Sequence, residues 1–359
     1  MITFNEIPGE EISIFLLLFI GFTVGVVGGF IGVGGGFLVT PALVVLGFPS
    51  NYAVGTDTTH ITGKSIIATI RHSSLGNVDI KLAMLMVVGT MTGAEGGVRL
   101  INYLKDQGEK TADTAVLSAS LCLMSAIAFL TFRETMAARR RMAEMKAAGK
   151  AMPRDQQVSG IATRLQSINL WPMIYLPTSR VVVSLWTVLS IGVFAGFLSG
   201  FFGVGGGFIR VPAMIYLLGV PSLIAVGTDL LEIIFSSGYA TIRHGMSHNV
   251  VIFASFIMIF GAAIGAQIGT LATAYVRGPA IRLLLSVAVT FGAIAAALEL
   301  TNVVTDESIE LLGSLSQIIM FGGMGVLVSM IAGLVGIAIV CQRTGKQAPV
   351  WAETLIVTR

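Results

Sequence analysis

The chain has 359 residues, of which 54% are hydrophobic and only 11% charged, and its mean hydropathy is +0.87. A soluble globular domain carries roughly a quarter charged residues, so this composition excludes a water-soluble protein and indicates a polytopic membrane protein. The formal charge of +3 comes mostly from one loop and implies no nucleic-acid partner.

Glu6, Glu10 and Glu11 precede the first apolar run, and no Lys or Arg does. A secretory signal needs a basic start, so the run Ile12–Ile31 is expected to remain as a span. Roughly 20 helical residues cross the hydrocarbon core. By that measure further spans are expected at Ile80–Leu104, Thr114–Phe132, Val181–Phe202, Val250–Tyr275, Ala280–Leu300 and Gln317–Cys341. Two odd pairs lie between them: Phe37–Phe48 with Tyr52–Ile70, and Phe208–Leu218 with Ile224–Ile242. The first member of each pair follows a glycine cluster, ends at a Gly-x-Pro and is too short to cross. Such segments read as broken or re-entrant helices.

The organisation expected is a first transmembrane repeat at 1–132, a basic cytoplasmic loop at 133–180, a second repeat at 181–304, and a final helix with a cytoplasmic tail at 305–359. The loop begins RETMAARRRMAEMKAAGKAM, which reads as a basic helix extending the span before it. The repeat is long. GVGGGFLVTPALVVLGFP from Gly32 aligns with GVGGGFIRVPAMIYLLGVP from Gly203; AVGTD recurs at Ala53 and Ala225, and ATIRH at Ala68 and Ala240. Gly89 and Gly93 align with Gly261 and Gly265. Two copies in a membrane protein point to a transporter working at the interface of its halves.

Lys and Arg placement orients them. If each odd pair returns to its own side, Arg277, Arg282, Arg343 and Lys346 fall inside with the basic loop, and the copies have opposite topology. If each pair crosses, those four fall outside. The positive-inside rule favours the first arrangement, an all-α fold of two inverted repeats.

Why does GVGGGF occur twice? A nucleotide loop would need a soluble βαβ unit, which this chain lacks. Close helix packing is the plain alternative, but packing glycines recur every fourth residue, whereas Gly34, Gly35 and Gly36 are consecutive, as are Gly205, Gly206 and Gly207. Three glycines in a row suit an unwound backbone, and the helix resuming behind it offers free N–H groups to an anion. These six glycines, with Thr56 and Thr228, are therefore candidate substrate-binding residues, as are the cations Lys64, Arg71 and Arg243. Asp57, His60, Asp229 and Glu232 are candidates for proton coupling, because ionisable groups in membrane segments are costly and usually mark pathways or relays. Asp57 and Asp229 could instead cap the following helices, and Arg71 and Arg243 could sit at headgroup level. Glu95, opposite Gln267, reads as a neutral acid bonded to a neighbouring helix. Cys122 and Cys341 read as buried free thiols. No metal constellation, nucleophile elbow or phosphate loop is found, so neither an enzyme nor a cofactor is expected.

On these motifs the chain resembles the TauE/SafE-type sulfite exporters, also called the TSUP or four-toluene-sulfonate-uptake-type permeases. The resemblance rests on GVGGGF followed by Pro41 and AVGTD, repeated in the second half with Pro212. It implies a bacterial or archaeal inner-membrane permease for sulfite, an organosulfonate or a related small sulfur-containing anion, held between the two glycine breaks. Export is the expected direction, and proton coupling is a hypothesis resting on the four titratable residues above. Expected partners are the anion, membrane lipids and, as a candidate arrangement, a second copy in a homodimer. The alternative is an anion channel, or an uptake permease for a different anion.

Overall fold

The computed structural model describes residues 2–4, 7–31, 36–147, 170–202, 206–305, 310–345, 347–349 and 351–357. Its elements follow the duplication. The first copy opens with a hairpin, β1 (Ile2–Phe4) and β2 (Ile7–Ile12), and continues through α1 (Ile14–Ile31), α2 (Gly36–Val45), α3 (Ser50–Ser74), α4 (Ile80–Gln107) and α5 (Glu109–Ala147). The second has a hairpin, β3 (Met173–Leu176) and β4 (Val181–Ser184), then α6 (Leu185–Phe202), α7 (Gly207–Tyr216), α8 (Ser222–Met246), α9 (Ile252–Ala272) and α10 (Gly278–Val304). Helix α11 (Glu310–Thr344) follows both.

Seven described helices are long and apolar enough to cross a membrane: α1, α5, α6, α8, α9, α10 and α11. Helices α3 and α4, with 25 and 28 residues, match them in length and carry more polar residues. At 1.5 Å per residue α3 and α8 are each roughly 37 Å long, enough to span about 30 Å of hydrocarbon. So each odd pair consists of one short helix and one of full length. The short ones, α2 and α7, have 10 residues each and contain Pro41 and Pro212, which lack the N–H for the helical bond.

The two hairpins correct the all-α expectation in detail: backbone pairing precedes α1 and α6, so these helices begin at Ile14 and Leu185 and not at Ile12 and Val181. The basic run past Phe132 is helical as far as Ala147; the loop at 148–169 lies outside the described residues. Beyond α11, Arg277 N–H donates to Leu355 O at 2.8 Å and Arg277 Nε to Ile356 O at 2.9 Å, pinning the chain's end to the start of α10. Both cysteines are free, but only Cys341 is buried; Cys122 is exposed on α5.

Glycines at four-residue spacing decide the packing. Gly21, Gly25 and Gly29 of α1 lie against the backbone of Met258, Ala262 and Ala266 in α9, while Gly261, Gly265 and Gly269 lie against Leu18, Phe22 and Val26. The same interlock joins α4, through Gly89, Gly93 and Gly97, to α6, through Gly192, Gly196 and Gly200. A Cβ on Gly25 would sit 2.6 Å from Ala262 O, and one on Gly89 2.6 Å from Leu189 O. Small residues on one helical face let the backbones touch. In both pairs the contacting residue numbers rise together, so the helices are parallel, and each pair joins the first copy to the second.

Between these pairs α3 and α8 cross antiparallel. Gly55, early in α3, meets His244 and Asn249 at the far end of α8, and Gly227, early in α8, meets His72 and Asn77. His72 Nε2 donates to Gly29 O at 3.0 Å and His244 Nε2 to Gly200 O at 3.2 Å. Corresponding residues of the two copies therefore make corresponding contacts.

Candidate functional site

Two buried polar clusters lie among the described residues, one on each copy. On α3, Asp57, His60 and Lys64 share a face at spacings of three and four, and all three are buried. The capping alternative fails, because α3 begins at Ser50 and Asp57 lies in its second turn; Asp229 is placed likewise in α8, which begins at Ser222. His60 Nδ1 lies 3.4 Å from Asp57 Oδ1. His60 Nε2 has no hydrogen-bond partner among the described residues. Lys64 Nζ donates to Val24 O at 3.3 Å, a long contact for a buried ammonium. Thr40 of α2 completes the cluster: its hydroxyl lies 2.9 Å from Asp57 Oδ2 and 2.9 Å from Phe202 O, the last residue of α6. The helix after the first glycine cluster thus touches the last described residue before the second.

On the second copy the charges are closed on themselves. Arg210 of α7 is wholly buried; its Nε lies 2.6 Å from Asp229 Oδ1 and its Nη1 2.6 Å from Glu232 Oε2. Ser236 Oγ donates to Glu232 Oε2 at 3.2 Å, and Thr90 Oγ1 of α4 donates to Glu232 Oε1. Asp229 Oδ2 is buried without a hydrogen-bond partner among the described residues. A buried ion costs several kcal/mol unless paired, so this arginine and its two acids stand or fall together. Gly206 precedes α7 with φ +70°, and a Cβ there would lie 2.5 Å from Ala195 O and 3.2 Å from Arg210 Nη1. Glycine is needed at this turn both for its left-handed backbone and for its closeness to the guanidinium.

The structure brings together some of the residues singled out in the sequence and separates others. Asp57, His60 and Lys64 meet, as do Asp229 and Glu232. Gly36 and Gly207 start α2 and α7, and both are buried; Gly34, Gly35 and Gly205 lie outside the described residues. Thr56 and Thr228 are elsewhere: their hydroxyls accept the N–H groups of Val251 and Asp79, each at 2.9 Å, holding the starts of α9 and α4. Arg71 is exposed. Arg243 is joined to Glu95, with Nε 2.7 Å from Oε2 and Nη2 3.0 Å from Oε1. Glu95 also takes Arg99 Nε at 2.7 Å and Tyr239 OH at 2.9 Å. Bonded to a neighbouring helix as expected, it faces two cations and is therefore a charged acceptor, not a neutral acid.

Arg210, Thr40 and Thr90 were missed in the sequence. The first two carried a signal: each is a polar residue in a short apolar helix, facing Val39 and Val211 in the aligned copy. Thr90 carried none. Together the clusters present two cations, three carboxyl groups and one imidazole in a water-poor interior, groups that can hold a small anion and exchange protons.

The family model described as sulfite exporter TauE/SafE matches residues 17–296 and, overlapping that range, 188–341. Curated relatives include the "Probable membrane transporter protein YunE" of Bacillus subtilis, 25% identical over 72% of this chain and 87% of its own length. A "Probable membrane transporter protein" of Xylella fastidiosa is 28% identical over 70% of this chain and 80% of its own. "Probable membrane transporter protein MJ0441" of the archaeon Methanocaldococcus jannaschii is 26% identical over 55% of this chain and 60% of its own. No solved structure matches the chain.

Proposed function

The chain belongs to the sulfite exporter TauE/SafE family, and on that premise we propose that this multi-pass membrane protein is a secondary transporter that exports sulfite, an organosulfonate or a related small sulfur-containing anion across the inner membrane, coupled to protons. The observation that carries the anion reading is a pair of wholly buried cations, Lys64 and Arg210, one on each copy, in a chain that has little charge to spare. Lys64 is the primary contact for the anion, because among the described residues it donates to a backbone carbonyl, at 3.3 Å, and to no acid, while Arg210 is engaged by two acids. His60 Nε2 lies on the same face without a hydrogen-bond partner among the described residues, and Asp57, Asp229 and Glu232 are the proton carriers.

We further infer that the two copies are inverted repeats that exchange access by rocking against each other. The antiparallel crossing of α3 and α8 supports this, since copies related by an axis along the membrane normal would set these two helices parallel. The glycine interlocks between copies offer surfaces on which such a motion can occur.

Counterflow tests the proposal. Proteoliposomes loaded with unlabelled sulfite should accumulate external radiolabelled sulfite faster than empty ones, as a carrier does and a channel does not. Equal uptake into loaded and empty vesicles would replace the carrier with a channel. No uptake of sulfite, sulfoacetate or taurine-derived sulfonates would remove the substrate class.

A further inference from the structure

Thr40 has one hydroxyl hydrogen and two acceptors. Its Oγ1 is 2.9 Å from Asp57 Oδ2 and 2.9 Å from Phe202 O, and both residues are buried with it. A carbonyl oxygen only accepts, and a threonine hydroxyl donates once. One hydrogen shared between two acceptors bonds each weakly; both contacts are full hydrogen bonds together when the second hydrogen belongs to the Asp57 carboxyl group. The chain of donors then runs from Asp57 Oδ2–H to Thr40 Oγ1, and from Thr40 O–H to Phe202 O.

We propose that Asp57 holds the coupling proton and that Thr40 is the positioning residue which transmits its presence to the second half of the molecule. This rests on the proton-coupled transport proposed above. Phe202 ends α6, where the last carbonyls have no intrahelical partner, so with the proton in place Thr40 ties α2 of the first copy to the helix leading into the second glycine cluster. When the proton leaves, the carboxylate draws the Thr40 hydrogen to itself, because a charged acceptor outcompetes a neutral one. Phe202 O then loses its donor, and the tie between the copies is released. One proton moves between Asp57 and water, one hydroxyl rotates, and no other bond changes.

The surroundings leave few competitors for this role. Helices α1, α2, α6 and α9 contain no titratable residue. On α3 itself, His60 and Lys64 share the face with Asp57. Helix α8 presents His244, bonded to Gly200 O, and the acids held by Arg210. Helix α4 presents Lys105, bonded to Asn249 Oδ1, and Glu95, held by Arg243, and α5 presents Asp113, which accepts the N–H of Ser50 at 3.0 Å; α10, which packs on α2, presents the buried Arg282, bonded to Ser222 Oγ, and the buried Glu299. The second copy has Val211 in place of Thr40, so it cannot make the same tie.

Infrared spectroscopy and proton-flux measurement on the full-length protein test this together. Wild-type protein should show a protonated carboxyl C=O band that is absent in Asp57→Asn and shifted in Thr40→Val. In proteoliposomes, Thr40→Val should bind sulfite within about twofold of wild type, yet lose the pH dependence of sulfite flux and the proton moved with each anion; Thr40→Ser should restore both. Wild-type pH dependence in Thr40→Val, or its loss in Thr40→Ser as well, would overturn the role of Thr40. If the band is present and wild type moves no sulfite, the substrate reading falls and the proton site stands. If sulfite moves and no band depends on Asp57, the proton site falls alone.

Discussion

Arg210 Nε lies 2.6 Å from Asp229 Oδ1, and both side chains are wholly buried. Removing one member of such a pair leaves an uncompensated buried charge, a loss of about 3–5 kcal/mol. Arg210→Met should therefore lower the detergent unfolding midpoint sharply or abolish folded yield, because it strands Asp229 and Glu232 together. Changing Asp229→Asn and Glu232→Gln in the same chain should recover much of that loss. A single Arg210→Met variant with wild-type stability would mean that the triad is not charged as described.

The interlocked glycines give a stability test with an internal control. Gly25→Ala places a methyl group 2.6 Å from Ala262 O and must push α1 and α9 apart. Overpacking of this kind costs about 1–3 kcal/mol. Gly322→Ala, on α11 with nothing within 4 Å of the added carbon, should be neutral or slightly stabilising, since Ala is the better helix former. Thermal unfolding in one detergent reads both, and equal midpoints would contradict the packing.

Gly206 differs, because it serves the site as well as the backbone. Gly206→Val would require a β-branched residue at φ +70° and would crowd Arg210 Nη1. Backbone strain of this kind costs about 1–3 kcal/mol. Counterflow should be lost while monodisperse protein is still recovered. Wild-type flux from this variant would separate the second glycine cluster from transport.

Glu95 and Arg243 supply a negative prediction. Their ion pair is partly exposed, with 21% and 30% of the side chains accessible. Such pairs contribute roughly 0.2–1 kcal/mol, so Glu95→Gln should leave sulfite kinetics unchanged and cost little stability. A large change in half-saturation would bring this pair into the permeation path.

Much of this architecture is legible in the linear chain, because its two strongest signals are covalent in origin. GVGGGF and AVGTD are duplicated in the chain itself, and consecutive glycines cannot stay helical cheaply. The charged face of Asp57, His60 and Lys64 follows from helical spacing. What escaped is what depends on neighbours far away in sequence. Thr56 and Thr228 look like site residues beside the acids, yet their hydroxyls hold the starts of helices from across the molecule. Arg243 has the charge expected of an anion ligand but finds Glu95 first. Arg210 stands out as a lone arginine in a short apolar segment, but its two acid partners are disclosed only when α7 is laid against α8.

The most direct test of the whole account is the current evoked by a sulfite concentration jump on a solid-supported membrane, compared between wild type and Lys64→Ala. A charge-assisted hydrogen bond to the anion is worth about 1.5–3 kcal/mol, or roughly a tenfold to hundredfold change in affinity. Wild type should give a saturable sulfite response, and Lys64→Ala a half-saturating concentration raised at least about tenfold, with Arg141→Ala unchanged. An identical sulfite dependence in folded Lys64→Ala would contradict it, and would place the anion away from the only buried lysine on α3.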